Sequence, residues 1–169
     1  LAGCGMPAAV TRTFFHEGGP DGARALIIVA AAAAAAVAVV ALATGPLWSQ
    51  VFGTLEFGAL LALAVISAAF SATLVSAQMV LQAEAWARRY VTSAVIAIAG
   101  GQLSGIAAVA LGAGPTGYMS GLAFGFAAAL IYAWPVAGFR PGPLREAATR
   151  RPLVATAMRV GLPTIWMRA

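Results

Sequence analysis

The amino-acid sequence predicts an all-α integral membrane protein, built as a polytopic bundle of transmembrane helices. Hydrophobic residues make up 62% of the 169 residues, and charged residues make up only 9%. Mean hydropathy is +0.91. Soluble domains average about 25% charged residues, so this chain has too few charges to cover a surface that faces water. The charges are also separated by apolar runs of the length that a membrane-crossing helix requires.

The first two predicted spans cover 25–43 and 57–81. A helix needs about 20 apolar residues to cross a hydrocarbon core of about 30 Å. The first run is dominated by alanine and is followed by Gly45 and Pro46, which stop a helix. Because alanine forms helices well but is only weakly lipophilic, we expect this span to pack against other helices.

The segment 90–139 contains no charged residue. As one helix it would be about 75 Å long, more than twice the membrane core, so it must fold back on itself. The turn is predicted at "GAGPTG", 112–117, where three glycines and a proline interrupt the pattern. This division gives two more spans, 90–111 and 116–137.

The basic residues in the connections sort onto one side of these four spans. All ten basic residues are arginines, and nine of them fall in alternate connections. These connections are 11–24, 82–89 and 138–159. The positive-inside rule predicts that this side is the cytoplasm.

The short elbow "EAWARRY" joins the second and third spans. Trp86 and Tyr90 are expected to anchor it at the membrane interface. The main role predicted for Arg88 and Arg89 is to set the topology, and the alternative is contact with lipid phosphates.

Composition also argues against several functions. The net charge is +5 and the pI is near 10.7, but the arginines are spread along the chain without a basic groove, so no nucleic-acid partner is predicted. Cys4 is the only cysteine and His16 the only histidine, so no thiol metal cluster can form. No catalytic constellation is visible. The sequence therefore predicts no enzyme activity, no catalytic residue, no bound metal and no cofactor.

Glycines at four-residue spacing predict where two of the spans pack. Gly101 and Gly105 form one such pair, and Gly117, Gly121 and Gly125 continue the pattern on the next span. In lipid, close packing of small residues drives helix association, so these two stripes are expected to face each other.

Gln78 and Gln102 are the most polar residues inside the spans. They either line a wet cavity or form hydrogen bonds between helices. The four spans bury no ionised side chain, which argues against a proton relay or voltage sensor. Arg168 differs, because it follows Gly161 in a new apolar segment and would lie about 10 Å along that helix. It either snorkels to the interface or serves as a cavity cation for a substrate that carries phosphate.

Four stretches, taken in order, resemble the bacterial polysaccharide-biosynthesis flippases. "AAVTRTFFHEGGPDGARALI" resembles the cytoplasmic loop after their second helix, and "VLQAEAWARRYVTSAV" resembles the elbow between their fourth and fifth helices. "LGAGPTGYMSGLAFGFAAAL" resembles their fifth-to-sixth helix turn. "REAATRRPLVATAMRVGLPTIW" resembles the linker into their seventh helix. These are loose patterns that extend over essentially the whole chain.

On this resemblance the chain is identified as a member of the multidrug/oligosaccharidyl-lipid/polysaccharide exporter superfamily, on its oligosaccharide flippase branch. The resemblance implies a fragment of a protein with two six-helix lobes. Residues 1–137 would form part of the N-terminal lobe, 138–157 a basic cytoplasmic linker, and 158–169 the start of the C-terminal lobe. The protein would lie in the bacterial inner membrane and flip polyprenyl-diphosphate-linked oligosaccharides to the outer leaflet by alternating access.

The resemblance also implies which residues meet the substrate. Arg12, Arg159 and Arg168 are the candidate cavity cations that would neutralise the diphosphate. The implied partners are the lipid-linked sugar, membrane lipids, and glycosyltransferases or a polymerase of the same pathway. Two alternatives stay open. One is a drug/cation antiporter of the same superfamily, which would bury an acid or glutamine, and the other is a non-transporting membrane scaffold for glycosyltransferases.

Overall fold

The computed structural model of the chain describes residues 6–17, 19–52 and 57–136. This part of the chain consists of helices and short connections, with no strand, which confirms the predicted all-α helix bundle. Four of its helical segments are long and apolar enough to cross a membrane. The α-helices are α1 (Met6–Arg12), α2 (Gly19–Ala43), α3 (Gly45–Phe52), α4 (Ala59–Ala83), α5 (Ala87–Val95), α6 (Gly101–Ala110) and α7 (Gly114–Val136).

Two π-helical turns extend or join these helices. The first, Thr13–Glu17, continues α1. The second, Ile96–Gly100, connects α5 to α6, so that Ala87–Ala110 forms a single spanning helix. A π-helical turn is wider than an α-helical one and offsets the faces on either side of it.

The first spanning helix begins at Gly19, six residues before the predicted start at position 25. Most of the predicted connection 11–24 is therefore helical, and the reversal between α1 and α2 is short. Gly19 has a φ of +61°, a conformation that glycine adopts without the steric cost of a Cβ atom. Pro20 follows in the first turn, where its missing N–H is not needed. An apolar count finds the part of a helix that is inside the membrane, so it misses these polar first turns.

The predicted hairpin in the uncharged segment is present. α6 ends at Ala110 and α7 begins at Gly114. Gly112 and Gly114 in this turn have φ values of +88° and +60°. Both lie in the left-handed region that favours glycine, which explains why the reversal occurs at this sequence.

α4 and α7 occupy the middle of the bundle. α2 packs on one side of α4, α7 packs on α4, and α6 packs on α7. α1 lies against α2 and α4. The buried cluster that joins these helices contains many alanines together with a few larger side chains. These larger buried side chains are Val10, Leu26, Ile27, Leu74 and Val80.

α6 and α7 meet along a glycine seam, formed by Gly101 and Gly105 of α6 with Gly121 and Gly125 of α7. A Cβ atom at Gly121 would overlap the backbone N and Cα of Gly105, and one at Gly125 would overlap the Cα of Gly101. The two backbones are thus in direct contact. Gly117, one turn earlier on α7, instead faces Ala108 and Ala113, whose Cβ atoms would lie 3.1 and 2.5 Å from an added Cβ.

Large apolar side chains point outward along the spanning helices. Such a surface is unfavourable in water and suits a protein surrounded by lipid acyl chains. Members of this outward set include Val37, Val40, Val91, Val95, Ile98, Leu103, Ile106, Phe124 and Ile131.

Candidate functional site

One end of the bundle carries the charged side chains that the structure describes within the helices. The start of α2 and the end of α4 meet there, because Arg24 contacts Glu84. α1 reverses into α2 at this end, and α5 leaves the elbow after α4 at the same end. We call it the charged end. Its members are Arg12, Asp21, Arg24, Glu84, Arg88 and Arg89.

Arg24 and Glu84 form a largely enclosed ion pair at the charged end. The Arg24 Nη2 donates to Glu84 Oε1 at 2.7 Å, and the two side chains are 21% and 10% exposed. The Arg24 Nη1 donates to Asp21 Oδ1 at 3.1 Å, but Asp21 is 78% exposed. Burial gives the Arg24–Glu84 contact the larger effect on stability. An exposed pair contributes about 0–1 kcal/mol, while an uncompensated buried charge costs several kcal/mol.

The pair is not fully satisfied by the described part of the chain. Arg24 Nε and Glu84 Oε2 are buried there without a hydrogen-bond partner from the described residues. Such groups carry a desolvation cost of about 1–3 kcal/mol, more when charged. The pair therefore holds α2 against α4 while keeping one donor and one acceptor uncompensated.

Arg12 lies on the wall of an open groove at the same end. Ala8, Thr11, Arg12 and Phe15 line this groove, which has a volume of about 770 Å³. The Thr11 hydroxyl is turned back onto its own helix and donates to Pro7 O at 3.1 Å. Among the described residues of the wall, Arg12 therefore provides the cationic group, beside an exposed aromatic ring. A guanidinium in this setting suits a phosphate or carboxylate.

The other two predicted cavity cations cannot be placed beside Arg12. Arg159 and Arg168 lie outside the described residues, as do the predicted linker 138–157 and the predicted segment 158–169. Of the three arginines that the resemblance implied, the structure therefore locates one.

The two glutamines form hydrogen bonds at different places in the bundle. Gln78 of α4 donates to Ser93 Oγ of α5 at 3.1 Å. Gln102 of α6 accepts from the Tyr118 hydroxyl of α7 at 2.6 Å. Each glutamine links a different pair of helices. The structure gives both glutamines interhelical hydrogen bonds, the second of the two roles expected from the sequence.

The buried hydroxyls of the spans are also occupied by local hydrogen bonds. They donate to backbone carbonyls of the preceding helical turn, as Ser67 does to Leu63 O at 2.7 Å and Ser76 to Ala72 O at 3.1 Å. Ser104 also reaches across the glycine seam and donates to Gly121 O at 3.1 Å. Within the described ranges, no group of three or more His, Cys, Asp or Glu residues is placed to hold a metal.

Sequence reasoning missed the contact between Arg24 and Glu84. Both residues were assigned to connections, and 60 positions separate them along the chain. One signal was available in the positions of the charges. The start of one span and the end of an antiparallel neighbour lie at the same membrane surface, so a basic residue at the first and an acid at the second can meet. That signal names no particular pair, because every helix that begins or ends there is a candidate.

Fold and composition together define a polytopic membrane protein whose spanning helices carry arginines at one end. Comparison with models of protein families, with curated proteins and with solved structures gives no match.

Proposed function

We propose that the chain is part of a transporter that flips polyprenyl-diphosphate-linked oligosaccharides for cell-surface polysaccharide synthesis. The observation that carries the proposal is the groove at the charged end, with the Arg12 guanidinium on its wall. The ordered sequence resemblance to oligosaccharide flippases supports the same assignment.

In this proposal the charged end faces the cytoplasm of a bacterial cell. Arg12, Arg24, Arg88 and Arg89 belong to the charged end, and the α6–α7 turn at the opposite end contains no basic residue. This asymmetry fits the positive-inside rule. A lipid-linked sugar made in the cytoplasm would then reach the Arg12 groove from the leaflet in which it is synthesised.

Arg12 would bind the diphosphate through charge-assisted hydrogen bonds. A guanidinium presents parallel N–H donors that match two phosphate oxygens, and Phe15 beside it offers an apolar surface to the polyprenyl chain. The lobe would release the substrate when it rocks against a second lobe and opens the groove to the other leaflet.

The antiporter alternative has less support from the described residues. In an antiporter that couples Na⁺ or H⁺, an ionisable group is expected near the middle of the membrane. The acids that the structure describes in the spanning helices and their elbow, Asp21 and Glu84, lie at the charged end. Gln78 and Gln102, the glutamines inside the spans, are engaged with Ser93 and Tyr118.

The test is translocation by the intact protein in liposomes that contain a polyprenyl-diphosphate oligosaccharide. The fraction of sugar reached by an added glycosidase reports flipping. We expect Arg12→Gln to slow flipping about tenfold or more, the loss expected for a hydrogen bond to a charged group, and Arg12→Lys to retain more activity. Gln82→Ala is the matched control, because Gln82 is an exposed polar side chain at the same end.

Two results would contradict the proposal. One is that liposomes with the wild-type protein flip the substrate no faster than protein-free liposomes. The other is that Arg12→Gln and Gln82→Ala flip it at the same rate as wild type, which would leave the scaffold alternative as the better account.

A further inference from the structure

The elbow between α4 and α5 is short and places two arginines in the first turn of a helix. α4 ends at Ala83 and α5 begins at Ala87. Ala85 reverses the chain with a φ of +57°. Trp86 is the N-cap residue of α5 and supplies no side-chain hydrogen bond to the first turn. The partial positive charge of a helix start therefore adds to the charges of the arginines that follow.

The acidic residue of this elbow, Glu84, already forms an ion pair with an arginine of another helix. Glu84 accepts from Arg24 at 2.7 Å and is nearly buried. Arg88 and Arg89 make no ion pair with any residue in the described ranges. Both arginines are exposed, and no acid of the described ranges compensates their charges.

Arg88 lies at the end of the lipid-facing surface of this span. It shares a helix face with Val91 and Val95, three and seven positions further along, and both valines are more than half exposed. Ser93 and Ala97, on the opposite face, are buried against the bundle. A guanidinium directly above exposed valines lies where lipid headgroups meet acyl chains.

Arg89 is held in place by an aromatic ring. Its guanidinium lies 4.3 Å from the centroid of the Trp86 ring. Trp86 is itself 38% exposed, and tryptophan favours the membrane interface. The ring therefore fixes the position of the Arg89 guanidinium, next to apolar surface and one residue along the chain from Arg88.

We propose that Trp86, Arg88 and Arg89 form a binding site for the phosphate of an anionic phospholipid in the leaflet level with the elbow. Two guanidinium groups and the start of α5 supply the positive charge for the headgroup. Val91 and Val95 continue from Arg88 along the path of the acyl chains. This continuity favours a lipid over a soluble anion, which would make no use of the apolar stripe.

The experiment is a lipid titration of the purified chain in detergent micelles, read by native mass spectrometry. Phosphatidylglycerol is compared with phosphatidylcholine, which carries the same phosphate without net charge. We expect wild type to retain phosphatidylglycerol preferentially. Arg88→Gln and Arg89→Gln should each weaken its binding about fivefold, the factor for one basic side chain near an anionic membrane surface, while phosphatidylcholine binding stays unchanged.

Two control variants separate the site from general charge and from folding. Gln82→Glu changes the net charge by the same amount at the same end but alters none of the three residues of the site. We expect a smaller loss from it than from Arg88→Gln. The double variant Arg88→Lys with Arg89→Lys keeps both charges and should keep the preference. Circular dichroism and gel filtration check that each variant is folded.

Three outcomes would overturn the site. Wild type could bind the two lipids equally, the glutamine variants could retain phosphatidylglycerol as wild type does, or Gln82→Glu could lose as much binding as Arg88→Gln. Inorganic phosphate at millimolar concentration is added in a further titration. Full displacement of the lipid by it would contradict the assignment to a lipid, because the apolar stripe would then contribute nothing.

Discussion

The interface between α2 and α4 is filled by side chains, whereas the interface between α6 and α7 is filled by backbone. In the first, Leu26 and Ile27 lie in the same buried cluster as Leu74, and Arg24 reaches Glu84 at the charged end. In the second, glycines of α7 lie directly on glycines of α6. Both pairs of helices thus pack closely, the first through side chains and the second through backbone.

The difference shows what association in lipid requires. Lipid tails are as apolar as leucine, so burying apolar side chains between helices gives little hydrophobic gain, and contact area matters more. The glycine seam obtains contact by removing side chains. The α2–α4 pair obtains it by interlocking them and adds a charged contact at the end nearest water.

The largest expected effect comes from breaking the charged contact of the α2–α4 interface. Glu84→Ala leaves the mostly buried Arg24 side chain without its close partner. We expect the free energy of unfolding to fall by about 3 kcal/mol, as when one member of a buried pair is removed. Unfolding by sodium dodecyl sulfate in mixed micelles, followed by circular dichroism, measures this change.

Asp21→Ala is the matched control for that change. It removes the other carboxylate of Arg24, but Asp21 is 78% exposed, so the expected loss is below about 1 kcal/mol. The exchange of Arg24→Glu with Glu84→Arg should recover part of the stability lost by Glu84→Ala. Equal losses for Asp21→Ala and Glu84→Ala would show that burial of the pair has no energetic consequence.

The second effect tests the glycine seam. Gly121→Ala places a methyl group on the Gly105 backbone, so the helices must separate. Overpacking of this kind costs about 1–3 kcal/mol, and we expect a loss of about 2 kcal/mol in the same unfolding measurement. Gly125→Ala should behave similarly, because its Cβ meets Gly101.

Gly100 and Gly101, adjacent glycines of the span that packs against α7, sharpen this prediction. Gly100 has open space where a Cβ would be added, so Gly100→Ala should stabilise the helix by up to about 1 kcal/mol. A Cβ at Gly101 would lie 3.5 Å from Leu122 Cα, an ordinary contact, so Gly101→Ala should be tolerated. Replacing glycine by alanine would therefore cost more stability at Gly121 and Gly125 of α7 than at Gly101. Equal losses at Gly100 and Gly121 would contradict the packing described.

The smallest effect concerns a side-chain hydrogen bond across the α6–α7 pair. Tyr118→Phe removes the donor to Gln102 and keeps the ring. Hydrogen bonds between membrane helices contribute about 0.6 kcal/mol on average. We expect a loss of that size in the unfolding measurement. A loss larger than that of Gly121→Ala would mean that polar contact, and not backbone contact, holds this pair together.

Much of the helix bundle was predictable because its signals are local. The uncharged segment 90–139 had to reverse, and the glycines near position 112 mark where it does. The start of α2 was less accessible, because Pro20 and Asp21 look like loop residues until Gly19 is seen to turn the chain. The π-helical turn Ile96–Gly100 also had no sequence signal, since IAIAG continues an α-helix equally well.

The candidate site was predictable only in part. Arg12 was proposed as a cation, but its groove depends on how α1 folds beside Phe15. The glycine pattern indicated a packing surface, while the close approach at Gly121 and Gly125, and the space beside Gly100, depend on the crossing of two helices. The pairing of Arg24 with Glu84 joins residues at the ends of different helices, which no local pattern encodes.

The sequence by itself determined the class of this protein, a bundle of membrane helices, and the places where its spans are separated. It could do so because hydropathy, turn residues and the spacing of charges act over one helix at a time. Only the tertiary structure decided which charges are paired, which glycines touch backbone, and which arginines stay exposed beside the lipid-facing surface. These properties depend on distances between separate helices, and those distances are set by how the helices pack.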